Sequence, residues 1–143
     1  MTTRTYEPIL HERRKGRTSI TARITLIDPG VGIAAAWCGF SELIPGRGWV
    51  QAGVYTTNGV TRAYFEFSRL RYKLVTGPNV GVGETVVVSV SRKWGRWVAD
   101  FNGKQWMSVP LTLPLPMLFV GVERFDDATV EYRVDPPTRK EGQ

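Results

Sequence analysis

From residue 18 onward the side chains alternate between apolar and polar with a period of two, and no stretch carries the 3.6-residue period of a helix. In residues 18–27, Ile20, Ala22, Ile24 and Leu26 alternate with Ser19, Thr21, Arg23 and Thr25, the pattern of a strand with one buried face. The same rhythm recurs in WVQAGVYT (49–56), TRAYFEFS (61–68), RLRYKLV (69–75), ETVVVSVSR (84–92) and MLFVGVERF (117–125). The valines of VVVSV exclude a helical reading, because their β-branched side chains suit a pleated surface, and they predict a central strand. Turn signals separate the runs: AspProGly at 28–30, ProGlyArgGly at 45–48, AsnGly at 58–59 and AsnGly at 102–103. TGPNVGVG (76–83) reads as a loop, and the prolines of PLTLPLP at 110, 114 and 116 read as an extended connection. About ten strands and no helix predict an all-β fold, a jelly-roll β-sandwich.

Composition narrows the function classes. Of 143 residues 42% are hydrophobic, enough for a packed core, which excludes a disordered chain. Cys38 is the single cysteine and His11 the single histidine, so neither a disulfide framework nor a His/Cys zinc site is expected; no cofactor or metal is expected either. No apolar run reaches the roughly 18 residues of a membrane span, and the N-terminus has no apolar signal-peptide core. The expectation is therefore a cytoplasmic or virion-associated protein. The glycine-rich NVGVGE at 79–84 precedes a strand and no GKS or GKT follows, which leaves a turn rather than a phosphate cradle.

The net charge of +6 is concentrated at the N-terminus, where Arg4, Arg13, Arg14, Lys15 and Arg17 face only Glu7 and Glu12. Residues 1–17 show no strand or helix period and read as a flexible basic arm available to a partner. The predicted organisation is thus a basic arm at 1–17, a sandwich at 18–134 and a flexible polar tail at 135–143. A short basic run is more often a solvated tail than a phosphate contact, so nucleic acid is disfavoured as a partner, while protein assembly or self-association is favoured.

Candidate ligand contacts follow from the strand faces. Trp49, Gln51, Gly53 and Tyr55 share one face of their strand, and Val50, Ala52 and Val54 form the core face. Tyr64 and Glu66 likewise oppose Phe65 and Phe67. Trp49, Gln51, Tyr55, Tyr64 and Glu66 could line one surface, and aromatic rings with a few amide or carboxylate groups suit sugar or peptide binding. The competing reading is cross-strand packing, with Glu66 paired to Arg62 or Arg71. Trp94, Trp97 and Trp106 read as packing around the AsnGly hairpin, Asp126 and Asp127 as a turn, Cys38 as a small buried side chain and His11 as solvated.

The order AAWCGF, WVQAGVY, RAYFEF, GlyGluThr into VVVSVS, WVADFNGK and FVGVERF resembles the glutamic peptidases (eqolisins) and the concanavalin A-like lectin and glucanase superfamily, over residues 33–134. The resemblance implies two antiparallel sheets, one bent, with a concave face that takes an extended polymer. It places Gln51 at the peptidase glutamine that holds the attacking water and the oxyanion. It places Phe119 where the acid–base glutamate stands. Glu123 lies four residues on, displaced by about 13 Å along the strand. The resemblance thus implies a non-catalytic relative; a peptidase reading would use Gln51, Glu66 and Glu123. Three functions are expected in descending order: a structural or adhesion module, such as a virion surface or decoration protein attached through its arms; a lectin-like module binding polysaccharide on the concave face; and a glutamic-type acid peptidase.

Overall fold

The computed structural model describes residues 3–43, 48–68, 72–110 and 115–141. Among them all regular structure is antiparallel strand, in two sheets numbered here in chain order. The first sheet has six strands in the order β1 (Arg4–Arg13), β10 (Met117–Phe125), β3 (Ala34–Ser41), β4 (Trp49–Thr57), β5 (Val60–Ser68) and β6 (Tyr72–Val80). The second runs β11 (Glu131–Val134), β2 (Arg17–Asp28), β7 (Thr85–Lys93), β8 (Arg96–Phe101) and β9 (Lys104–Pro110), and β12 (Thr138–Glu141) pairs with β2 beside β11. The valine-rich β7 is the middle strand of its sheet, as its sequence predicts.

The core lies between the sheets and takes one side chain in two from each strand. Ile20, Ile24, Val86, Val88 and Val90 of the second sheet meet Ala36, Cys38, Phe40, Val50, Val54, Phe65, Leu118 and Val120 of the first. Each large side chain buried here contributes about 1.5–3 kcal/mol. Trp97 packs on Phe40 with ring centroids 4.6 Å apart, and Trp106 half-buries beside Phe101, so both serve packing as expected. Trp94 does not: it is 81% exposed. Two hairpins close on AsnGly with both residues at positive φ, Asn58 and Gly59 at 53° and 78°, and Asn102 and Gly103 at 50° and 83°. Such left-handed pairs match the twist of the flanking strands.

The two expected arms are strands instead. Residues 4–13 pair along β10, from Arg4 opposite Phe125 to Arg13 opposite Met117, and residues 138–141 pair with the start of β2. Both are edge strands. Backbone hydrogen bonds hold them and require no apolar alternation, and a bulge between Pro8 and Leu10 breaks what period β1 has. Ile9 and Leu10 pack against the core. The expected loop at 76–83 is also corrected: β6 continues through Gly77 and Pro78 to Val80, which an edge strand tolerates. The turn that follows is tied by Gly83 N–H to the Leu26 carbonyl at 2.7 Å and by Gly81 N–H to Glu84 Oε1 at 2.9 Å. Residues 45–47 of the ProGlyArgGly turn, 69–71 of RLRYKLV (with Arg71, an expected partner of Glu66) and 111–114 of PLTLPLP lie outside the described residues.

Candidate functional site: a groove on the outer face of the first sheet

The side chains that alternate away from the core line a groove of about 760 Å³. Strand register arranges its floor in rows. One row runs His11, Phe119, Gly39, Gln51, Glu66, Leu74 across β1, β10, β3, β4, β5 and β6. Two residues along lie Gly121, Trp37, Gly53 and Tyr64, and two further lie Tyr6, Glu123, Ala35, Tyr55 and Arg62. Glycines alternate with large rings, and this gives the face its depth. A Cβ on Gly53 would run into the Ala36 carbonyl oxygen and lie 2.7 Å from Trp37 Cα, so the adjoining strand leaves room for nothing larger.

Polar groups meet at one place on this floor. The Gln51 amide donates to Tyr64 Oη at 3.0 Å and to Glu66 Oε1 at 3.0 Å, and the Trp49 indole donates to the same Glu66 oxygen at 3.1 Å. Gln51 and Tyr64 are only 8% and 3% exposed, so they are anchored groups that hold the more accessible Trp49 and Glu66 in place. Burial, then the nearby Glu66, pushes the Tyr64 hydroxyl well above its usual range, and it stays protonated. Aromatic rings surround this network. Tyr55 meets Tyr64 edge-to-face at 5.7 Å, Tyr6 stacks over Trp37 at 6.0 Å and 14°, and Phe119 meets Trp37 edge-on at 6.2 Å. At the far wall the Arg4 guanidinium sits 5.1 Å over the Phe125 ring. The carboxyl of Glu123 is raised above its usual range by burial, with Arg4 opposing and Glu66 adding to the shift.

The five ligand contacts expected from strand faces, Trp49, Gln51, Tyr55, Tyr64 and Glu66, all line this groove. Of the peptidase set, Gln51 and Glu66 are in contact; Glu123 stands two rows away, and Phe119 occupies Gln51's own row. Of the five basic arm residues only Arg4 reaches the groove; Arg13, Arg14, Lys15 and Arg17 gather at the turn between β1 and β2. Tyr6, His11 and Trp37 also line the groove, which their sequence reading did not include. Trp37 was within reach of it, because the alternation in AAAWCGF sets Ala35, Trp37 and Gly39 opposite the buried Ala36 and Cys38. Tyr6 and His11 were not, since β1 shows no period. Cys38 is buried as expected, its thiol pushed up to about 12 by burial. Among the described residues, no group of three or more His, Cys, Asp or Glu could hold a metal ion, and no helix is long and apolar enough to cross a membrane.

No protein family and no curated protein sequence matches the chain. Solved structures do match its fold. Scytalido-glutamic peptidase, in complex with a transition-state analogue inhibitor, superposes with a TM-score of 0.77 at 11% identity, over 99% of this chain and 82% of that one. The Bacillus subtilis carbohydrate-binding module CBM66 gives 0.61 at 10% identity, over 96% and 82%. A Bacillus licheniformis β-glucanase gives 0.60 at 11% identity, over 99% and 71%. The fold is therefore the concanavalin-like jelly roll shared by eqolisin peptidases, glucanases and carbohydrate-binding modules, and at these identities the likeness concerns fold alone.

Proposed function

We propose that the groove binds an extended polysaccharide without cleaving it. The observation that carries this reading is the combination of accessible rings, Trp49, Tyr55 and Tyr6, with a hydrogen-bonded Gln51–Glu66 pair on one concave floor. Aromatic faces stack on the apolar faces of sugar rings, and fixed amide and carboxylate groups select hydroxyls. The carbohydrate-binding module and the glucanase of the same fold support a polysaccharide as ligand. The structural-module reading loses its premise, because the arms that were to attach it are strands of the two sheets, and nothing in the comparisons points to a virion. Calorimetry against a panel of soluble polysaccharides that includes β-glucans tests the proposal. Trp49→Ala and Tyr55→Ala are each expected to weaken binding about tenfold, the size of one lost stacking contact of roughly 1.4 kcal/mol. Tyr64→Ala is a poor probe, because it would open a cavity in a buried network. Binding to no member of the panel, or binding indifferent to both changes, overturns the reading.

A peptidase reading has one observation in its favour, the Gln51 amide 3.0 Å from a carboxylate oxygen. Against it stands Phe119, which removes the carboxylate from Gln51's row on β10. Acid-pH digestion of a denatured protein is expected to show no cleavage; cleavage that disappears in Gln51→Ala would reverse the order of the two readings.

A further inference from the structure

Trp94 occupies a position that suits neither its size nor its backbone. It is the first residue of the two-residue turn between β7 and β8, with φ 53° ahead of Gly95 at 69°. This left-handed position favours Asn, Asp or Gly and costs a bulky residue about 1 kcal/mol or more. Its ring is also the most exposed large hydrophobic side chain among the described residues. A strained tryptophan that buries so little of its surface contributes little to the core, which points to a role outside it.

The surroundings of this ring are cationic. Lys93 Nζ lies 5.8 Å over it. Strand register brings the β1–β2 turn to the same end of the sandwich: Ser19 pairs with Ser91 on one side and with Lys140 on the other. Arg13, Lys15, Arg92 and Lys140 make no ion pair with any described residue, whereas the nearby Glu12 is taken by Arg17 at 2.7 Å and Arg139 at 2.8 Å. Arg14 lies close enough to Arg92 to feel its charge, and its Nε is buried without a hydrogen-bond partner. Arg14 and Arg92, neither of them ion-paired to a described residue, thus place guanidinium donors for an oxyanion at this end of the sandwich.

We propose that this end of the molecule, Trp94 with Arg14, Arg92 and Lys93, binds single-stranded nucleic acid, the ring stacking on a base and the cations holding phosphates. A stacking platform beside backbone-tracking cations is the arrangement that recognises a single strand without regard to sequence. Read as a tail, residues 1–17 disfavour such a partner; folded into β1 and its turn, residues 13–17 bring their cations to the end of the sandwich that carries Arg92 and Trp94. The site is separate from the groove.

Fluorescence anisotropy with a labelled oligothymidylate at low salt tests it on the full chain. Binding is expected, with log K falling against log salt at a slope near −2, about −0.7 for each of three phosphates. Trp94→Asn is expected to weaken binding about tenfold while holding or raising Tm, since Asn suits the turn. This opposite movement of affinity and stability is one that a misfolded variant cannot produce. Arg92→Gln is expected to reduce the slope by about 0.7. No binding at low salt overturns the proposal. So does binding unchanged in Trp94→Asn, or a preference for phosphatidylserine vesicles or heparin over the oligonucleotide, which would assign the end to a membrane surface or a sulfated glycan.

Discussion

Glu123 shows how one carboxyl couples the groove to pH. It is half-buried opposite Tyr6 on β1 and Ala35 on β3, with Arg4 favouring its charged form and Glu66 opposing it. Burial is the largest influence, so its folded value lies above the ordinary carboxylate one. Below the ordinary value the group is protonated in both folded and unfolded chains and carries no penalty. As pH rises through the raised folded value, the folded state must ionise a group it holds poorly, and the associated stability is lost. Glu123→Gln removes this titration. The variant is expected to match the parent in Tm near pH 4 and to exceed it near pH 7 by on the order of two degrees, a small effect because the group is partly solvated. Thermal melts at the two pH values measure it; a variant less stable at pH 7 would show that Arg4 outweighs burial.

At the scale of strands, the glycines of the groove floor separate backbone from side-chain constraints. On Gly53 an added Cβ meets the backbone of β3, which cannot move without breaking the β3–β4 ladder. On Gly121 it meets the Tyr6 ring, with Cε1 at 2.6 Å, and that ring is 46% exposed, a side chain rather than backbone, with solvent to move into. Gly53→Ala is therefore expected to cost about 3 kcal/mol, the upper range of overpacking, and Gly121→Ala less than about 1 kcal/mol. Urea titrations distinguish them, and equal costs would mean that Tyr6 is held as firmly as the ladder. The same strands show what sequence conveys and what it does not. β4 and β5 turn alternate side chains to the core and to the groove, so period two revealed both their existence and the groove residues Trp49, Gln51, Tyr55, Tyr64 and Glu66. β1 is exposed over most of its length, β6 carries Gly77 and Pro78, and β12 is four residues long. Edge strands are held by the backbone of their neighbours, and backbone pairing leaves no mark on side-chain pattern.

The whole molecule is closed by its ends, and this decides what removing residues 3–13 does. β1 covers the edge of β10, while β11 and β12 cover β2 in the other sheet, so both termini are paired to strands remote in sequence. Such a topology folds slowly, on the order of milliseconds to seconds, because distant segments must meet before the sheets are complete. Without β1, the backbone of MLFVGVERF would become an open edge, Ile9 and Leu10 would leave the core, and the groove would lose the wall formed by Arg4, Tyr6 and His11. An apolar open edge is a template for pairing with another copy. The shortened chain is expected to unfold at lower urea, by about 2 kcal/mol from the half-buried Ile9 and Leu10 alone, to self-associate in light scattering, and to lose the proposed polysaccharide binding together with stability. An arm would behave otherwise: its removal would leave the urea midpoint and the groove's affinity unchanged. The two outcomes differ because pairing along β10 makes the N-terminal strand at once part of the core, the cap of an edge and a wall of the groove.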